Sequence, residues 1–361
     1  MGGAAGVNFV RPFVYSLRNR IHFAAKADDV RATRKDRQPS KRSFTPTKFR
    51  LNAMDKVMNT PKEPPKSSPA HSAFLKLSDT VGLRYEKSGN GPPLVLLHTI
   101  RTQIEYFRAL VPLLAERFTV YAVDLPGHGF SSVDTTKDYD EPYLRSGIID
   151  FLKLLDLRGV TLVGESIGAV IALTVASEIP ERIKVIFAFN PYDYETRYGD
   201  GIRRGNWFAN LIIGSLQIPV FGAVGAAIAN AAIIGKIMAG GYADPRKMPA
   251  DLIAIFANSG RNPNFHYAER KVLAAWRSFS RARERYAKVE APVTLVYGDK
   301  DWSRIPERTR TKELLKNSHF CTLENAGHFS SVEKPQEVAR IILALSFKSE
   351  FKPLGTRSSE G

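Results

Sequence analysis

Two alternating periodicities restrict the fold of this chain more than any other feature. Apolar runs of strand length lie at 94–98, 118–124, 160–165, 183–190, 293–298 and 320–325. Helical patterns separate most of them, at 103–117, 141–155, 167–178, 307–316 and 336–347. A strand that is apolar throughout is covered on both faces, and a helix between successive strands lets them pair in parallel. The pattern predicts an α/β fold with a mostly parallel central sheet flanked by helices. Residues 73–88 read as two short antiparallel strands broken near Val81 and Gly82. Between 190 and 293 the alternation stops, which predicts an inserted, mainly helical subdomain. The expected organisation is a basic tail and linker at 1–70, a core at 71–190, a helical cap at 191–290, a second core segment at 291–347 and a tail at 348–361.

Net charge separates these parts. Of the +16 total, residues 1–66 carry +10, 67–190 carry −2, 191–290 carry +6 and 291–361 carry +2. The excess therefore sits on the tail and the insert, not as a stripe on the sheet-and-helix body, which argues against nucleic acid as a partner. The tail reads as disordered or as sequence upstream of a start at Met54 or Met58. The alternative is a transit peptide, since Arg11, Arg18 and Arg20 precede any acid. A cytoplasmic location is expected, with organelle targeting by this segment as the other option. The single cysteine, Cys321, excludes an internal disulfide framework and a Cys-rich zinc site, and it reads as a buried strand residue.

Within the insert, residues 205–235 carry no charge. Their length would permit a membrane span. Asn206, Asn210, Gln217, Pro219 and Asn230 interrupt the stretch, so it reads instead as pocket-lining cap helices, with no stable membrane span. Residues 270–288 are basic with Glu284 the only acid, and they read as a solvated cap helix packed through Val272, Leu273, Trp276 and Phe279. Weak contact with an anionic surface, or attraction of substrates bearing carboxylates, is the alternative.

The chemistry concentrates at Gly164-Glu165-Ser166-Ile167-Gly168, directly after one predicted strand and before a helix. A nucleophile at the tip of such a turn needs small neighbours on both sides, and the helix start beneath it offers free N–H groups to a developing oxyanion. A serine hydroxyl also needs a base, and the base an orienting acid. Of the seven histidines, only His328 follows the last predicted strand, and Asp301 lies three residues past the strand at 293–298. Asp299 is the competing acid. No metal-ligand spacing, Walker loop or GxGxxG occurs, so neither metal nor cofactor is implied.

These motifs, with Leu94 to His98, Asp124-Leu125-Pro126-Gly127-His128-Gly129 and Ala326-Gly327-His328, make the chain resemble α/β-hydrolase-fold serine hydrolases with a cap domain, over about residues 73–347. The resemblance implies a Ser166, His328, Asp301 triad and an oxyanion hole made by the backbone N–H groups of Ile100 and Ile167. His128 receives no catalytic role. Such proteins usually carry His-Gly after the third strand, where this chain has His98-Thr99. Arg101 reads as an outward, solvated side chain, with a contact to a substrate carboxylate as the alternative. Serine rather than aspartate at 166 argues against epoxide hydrolase and dehalogenase chemistry. The expected activity is hydrolysis of an ester or related acyl bond in a small, partly apolar substrate. Carbon–carbon bond hydrolysis, cofactor-free haloperoxidase chemistry and a catalytically silent binding protein are the alternatives.

Overall fold

Eight strands form one sheet: β1 (Ser72–Lys76), β2 (Gly82–Ser88), β3 (Pro93–Leu97), β4 (Thr119–Val123), β5 (Val160–Glu165), β6 (Ile183–Phe189), β7 (Val293–Gly298) and β8 (Ser318–Leu323). They are seen in a computed structural model that describes residues 72–216 and 230–346. The expectations for 1–70 and 348–361, and the middle of the uncharged stretch, lie outside the described residues. The strand order is β1-β2-β4-β3-β5-β6-β7-β8. β2 runs antiparallel to both neighbours, and the remaining pairs are parallel. Burial follows position: β1 alternates at the edge, whereas every residue of β5 and β7 is buried.

Between β3 and β5 the order of strands reverses, so the loops that leave their C-terminal ends diverge and open a crevice there. α1 (Val111–Ala115) and α2 (Glu141–Leu154) connect the first parallel strands, and α3 (Ile167–Glu178) follows β5. Every α3 residue but Glu178 is buried, as expected of a helix that is apolar all round. The expected helix at 103–117 is instead a 3-10 turn, Ile104–Phe107, followed by the short α1. Pro112 in the first turn of α1 cannot donate and would clash within a continuous helix. In addition, the Ile104 N–H is drawn to the Asp124 carboxylate at 2.8 Å.

Described residues between β6 and β7 form α4 (Asp200–Gly205), α5 (Trp207–Ser215), α6 (Ala231–Ala239), α7 (Ala250–Asn258), α8 (Phe265–Ala274) and α9 (Trp276–Arg281), with short 3-10 turns. The basic stretch at 270–288 is thus not one helix. It breaks at Ala275 (φ −80°, ψ 12°) and ends in the 3-10 turn Ala282–Lys288, because burying Val272, Phe279 and Tyr286 together requires the chain to bend over the core. Ion pairs tie this layer down, among them Arg204–Glu307 at 2.9 Å and Arg285–Glu178 at 3.0 Å. The last helices of the described residues are α10 (Ile305–Leu314), α11 (Ser330–Glu333) and α12 (Pro335–Ser346). Among the described residues, no helix is long and apolar enough to cross a membrane.

Two glycines let α3 sit against the sheet. A Cβ on Gly168 would lie 2.2 Å from the Leu97 carbonyl oxygen, and one on Gly164 would lie 2.2 Å from the Gly168 carbonyl oxygen. Gly168→Ala should therefore cost about 3 kcal/mol or more, since neither clash partner is a side chain that can rotate away. Gly159→Ala is the control: its φ is +60° but the space around it is open, so the loss should be only about 1 kcal/mol. Urea midpoints of the two variants test this, and equal losses would contradict it.

Candidate active site

Ser166 stands between β5 and α3 with φ 61° and ψ −120°, outside the regions open to most side chains. Its N–H is held by the Phe189 carbonyl at 2.9 Å, and its carbonyl accepts from Ala169 and Val170 in α3. The turn is therefore held from both ends, and the hydroxyl projects at the C-terminal edge of the sheet. Ser166 Oγ lies 2.9 Å from His328 Nε2, and His328 Nδ1 lies 2.5 Å from Asp301 Oδ1. All three side chains are buried.

Burial by itself would raise the Asp301 carboxyl, but the His328 ring, Ser303 and Arg308 together hold it below the ordinary carboxylate range. An ionised Asp301 only accepts, so the His328 proton sits on Nδ1 and Nε2 is left to accept from Ser166. Ser303 donates to Asp301 Oδ2 from its N–H at 2.9 Å and also from its hydroxyl. Arg308 in turn donates to Ser303 Oγ at 2.9 Å. The Trp302 ring stacks on His328 with centroids 3.9 Å apart. Asp299, the competing acid, turns away from His328 and accepts from the Ala326 N–H at 3.1 Å.

The loop after β3 is held by His98. The Leu125 N–H donates to His98 Nε2 at 3.0 Å, so the ring proton is on Nδ1, which donates to the Thr99 carbonyl at 2.8 Å. Thr102 adds its hydroxyl at 2.9 Å. The Thr99–Ile100 peptide is trans, so pinning its carbonyl on one side aims the Ile100 N–H to the other. Among the described residues, neither the Ile100 nor the Ile167 N–H donates to a protein acceptor. The Thr99 hydroxyl is also buried and without a partner.

Two residues of this region escaped the sequence reading. Glu165 accepts from the Ser330 N–H at 2.6 Å, the Ser331 N–H at 3.2 Å and the Tyr106 hydroxyl at 2.8 Å. Asn190 donates to the His328 carbonyl at 3.1 Å and accepts from the Gly298 N–H at 2.9 Å. Both anchor the loop that carries His328. Their only signal was position: each is a polar residue at the C-terminal end of an apolar run.

Arg101 differs from its expected outward placement. Its φ is 57°, its side chain is only 18% exposed, and its guanidinium pairs with Glu269 of α8. The loop lies against the cap, so most of the side chain is shielded from solvent. Burial pulls its pKa down to about 10, which still leaves it charged at neutral pH. A cavity of about 520 Å³ lies here between core and cap. Ile100, Trp302 and Phe329, neighbours of the site residues, form its inner wall, and isoleucines of α5 and α6 form much of the rest.

A model of the alpha/beta hydrolase family matches residues 94–341. The chain belongs to that family. An uncharacterised protein of Mycobacterium tuberculosis is 36% identical over 96 residues, 27% of this chain and 28% of that one. The 2-(acetamidomethylene)succinate hydrolase of Mesorhizobium japonicum is 31% identical over 185 residues, 51% of this chain and 59% of that protein. The chain thus spans less than two thirds of the length of these relatives. Among solved structures, an epoxide hydrolase superposes with a TM-score of 0.66 at 21% identity, over 78% of this chain and 99% of its own. Other hydrolases of the family similar to this chain bear the names of ester and meta-cleavage product hydrolases.

Two further histidines set an acid limit on this fold. Burial first, then the charge of Arg84, lowers His98 to about 4. Burial and the His98 ring, 5.4 Å away, lower His128 to about 3. In the unfolded chain both take up a proton near pH 6.5. The unfolded state therefore binds more protons as pH falls from about 6.5 to 4, and stability drops by about 1.4 kcal/mol per unit for each histidine. The part supplied by the depressed Asp301 is lost further down, below the ordinary carboxylate range. Urea midpoints measured from pH 7.5 to 4.5 should fall steeply, and a flat profile would refute the neutral pair.

Proposed function

We propose that this chain is a serine hydrolase acting on an ester or related acyl bond of a small, partly apolar substrate. The observation that carries the reading is the continuous line from Ser166 Oγ through His328 to Asp301, buried and joined at 2.9 and 2.5 Å. In this mechanism His328 Nε2 takes the Ser166 proton as Oγ attacks the substrate carbonyl. Asp301 keeps the ring in the required tautomer and offsets its charge. The oxyanion is received by the N–H groups of Ile100 and Ile167, which no protein acceptor occupies. His328 then protonates the leaving group, and water, deprotonated by the same ring, releases the acyl group from Ser166.

The unpartnered Thr99 hydroxyl supplies a third oxyanion donor in this reading. It compensates for the absence of glycine at this position, since a buried hydroxyl without a partner otherwise only costs stability.

Hydrolysis of p-nitrophenyl octanoate tests both statements. Ser166→Ala should lower kcat by about four to six orders of magnitude, and a fluorophosphonate should label the native protein at Ser166 alone. Retained turnover in that variant would sink the assignment. Thr99→Val should lower kcat about 100-fold while raising the urea midpoint, and Thr99→Ser should keep most of the activity. A valine variant as active as the native protein removes Thr99 from the mechanism.

A further inference from the structure

Among the described residues, the wall of the cavity beside the site is almost entirely hydrocarbon, and the one ion pair on it is balanced. Arg101 and Glu269 both line it, one from the loop that carries the Ile100 N–H and the other from α8 in the cap. Glu269 lies between Arg101 and His266, whose Nδ1 is 3.3 Å from the second carboxylate oxygen. Burial, with Arg101 and Arg270 nearby, lowers the His266 pKa, so that ring adds no second positive charge near neutral pH. Arg270, the remaining charged residue of the wall, is exposed at the rim.

Resting on the hydrolase reading above, we infer that the cavity selects an uncharged, largely hydrocarbon acyl group and that the Arg101–Glu269 pair is the device that excludes carboxylates. A carboxylate entering the cavity would lose its hydration, and Arg101, the least exposed cation that the described residues place on the wall, is already paired. It would also be placed near the Glu269 carboxylate, a like charge in a poorly hydrated space. A hydrocarbon chain meets isoleucine side chains and displaces only water that is poorly held. The pair is therefore a specificity element: it tethers cap to oxyanion loop while presenting no net charge to the substrate. Removing one partner should alter selectivity in opposite directions. Loss of Glu269 frees Arg101 to receive a carboxylate, and loss of Arg101 leaves Glu269 to repel it more strongly.

The experiment compares kcat/KM for p-nitrophenyl octanoate with that for mono-p-nitrophenyl octanedioate, which has the same chain length and a terminal carboxylate. The native protein should favour the neutral ester by about 100-fold or more. Glu269→Gln should reduce that ratio at least tenfold through a gain on the carboxylate ester, and Arg101→Gln should raise it. The Arg101→Gln/Glu269→Gln double variant, again without net charge, should return towards the native ratio. A native ratio near one, or a ratio that neither single variant moves, overturns the inference. Calorimetry on Ser166→Ala with octanamide and 8-amino-8-oxooctanoate separates the two readings. If neither ester is hydrolysed through Ser166 but octanamide alone binds, the selection of neutral groups stands and the hydrolase reading falls. If both amides bind equally, the selection falls whatever the fate of the hydrolase reading.

Discussion

The contact on which this molecule depends is between backbones: Gly168, in the first turn of α3, lies against the carbonyls of Leu97 and His98 at the end of β3. A side chain there would force β3 and α3 apart. With hydrogen in its place, the turn that carries Ser166 and the loop that aims the Ile100 N–H come from adjacent parallel strands and share one crevice. The reversal of strand order between β3 and β5 creates that crevice, and the glycine lets its two sides approach closely. The left-handed φ of Ser166 is tolerated because hydrogen bonds from β6 and within α3 hold the turn on both sides.

A second layer of the design is polar and buried. Glu165 and Asn190, at the ends of β5 and β6, hold the loop of His328 through the N–H groups of Ser330 and Ser331 and the carbonyl of His328. A loop anchored in this way does not depend on packing for its position, because each displaced donor or acceptor would be left unpaired in a dry interior. His98 performs the corresponding task for the loop after β3. Its neutral, Nδ1-protonated form is imposed by the N–H of Leu125 on its other nitrogen. The same burial that keeps His98 and His128 uncharged makes the fold sensitive to acid, so orientation near neutral pH and fragility at low pH share one cause.

In the proposed function, the cap adds selectivity through electrostatics. Its helices close a hydrocarbon cavity, and the charge it places deepest is paired with the one cation on the adjoining core loop. The surplus positive charge of the insert is turned outward or paired, as with Arg204 on Glu307 and Arg285 on Glu178. The net charge of the chain therefore says little about what its cavity accepts.

The order and periodicity of residues determined the α/β class, the helical insertion and the candidates Ser166, Asp301 and His328. These are legible because strand length, the two hydrophobic periods and a glycine-flanked turn are local properties of a chain. Other features depended on tertiary contacts. The helix expected at 103–117 was divided by Pro112 and by the reach of Asp124, and the basic run at 270–288 was bent by what it had to bury. Asp301 was separated from Asp299 only by the path of the loop beyond β7. Arg101 was turned inward by a carboxylate 168 positions away in sequence. Glu165 and Asn190 acquired their tasks in the same way, since a buried polar group is defined by its partners and those partners lie in other elements.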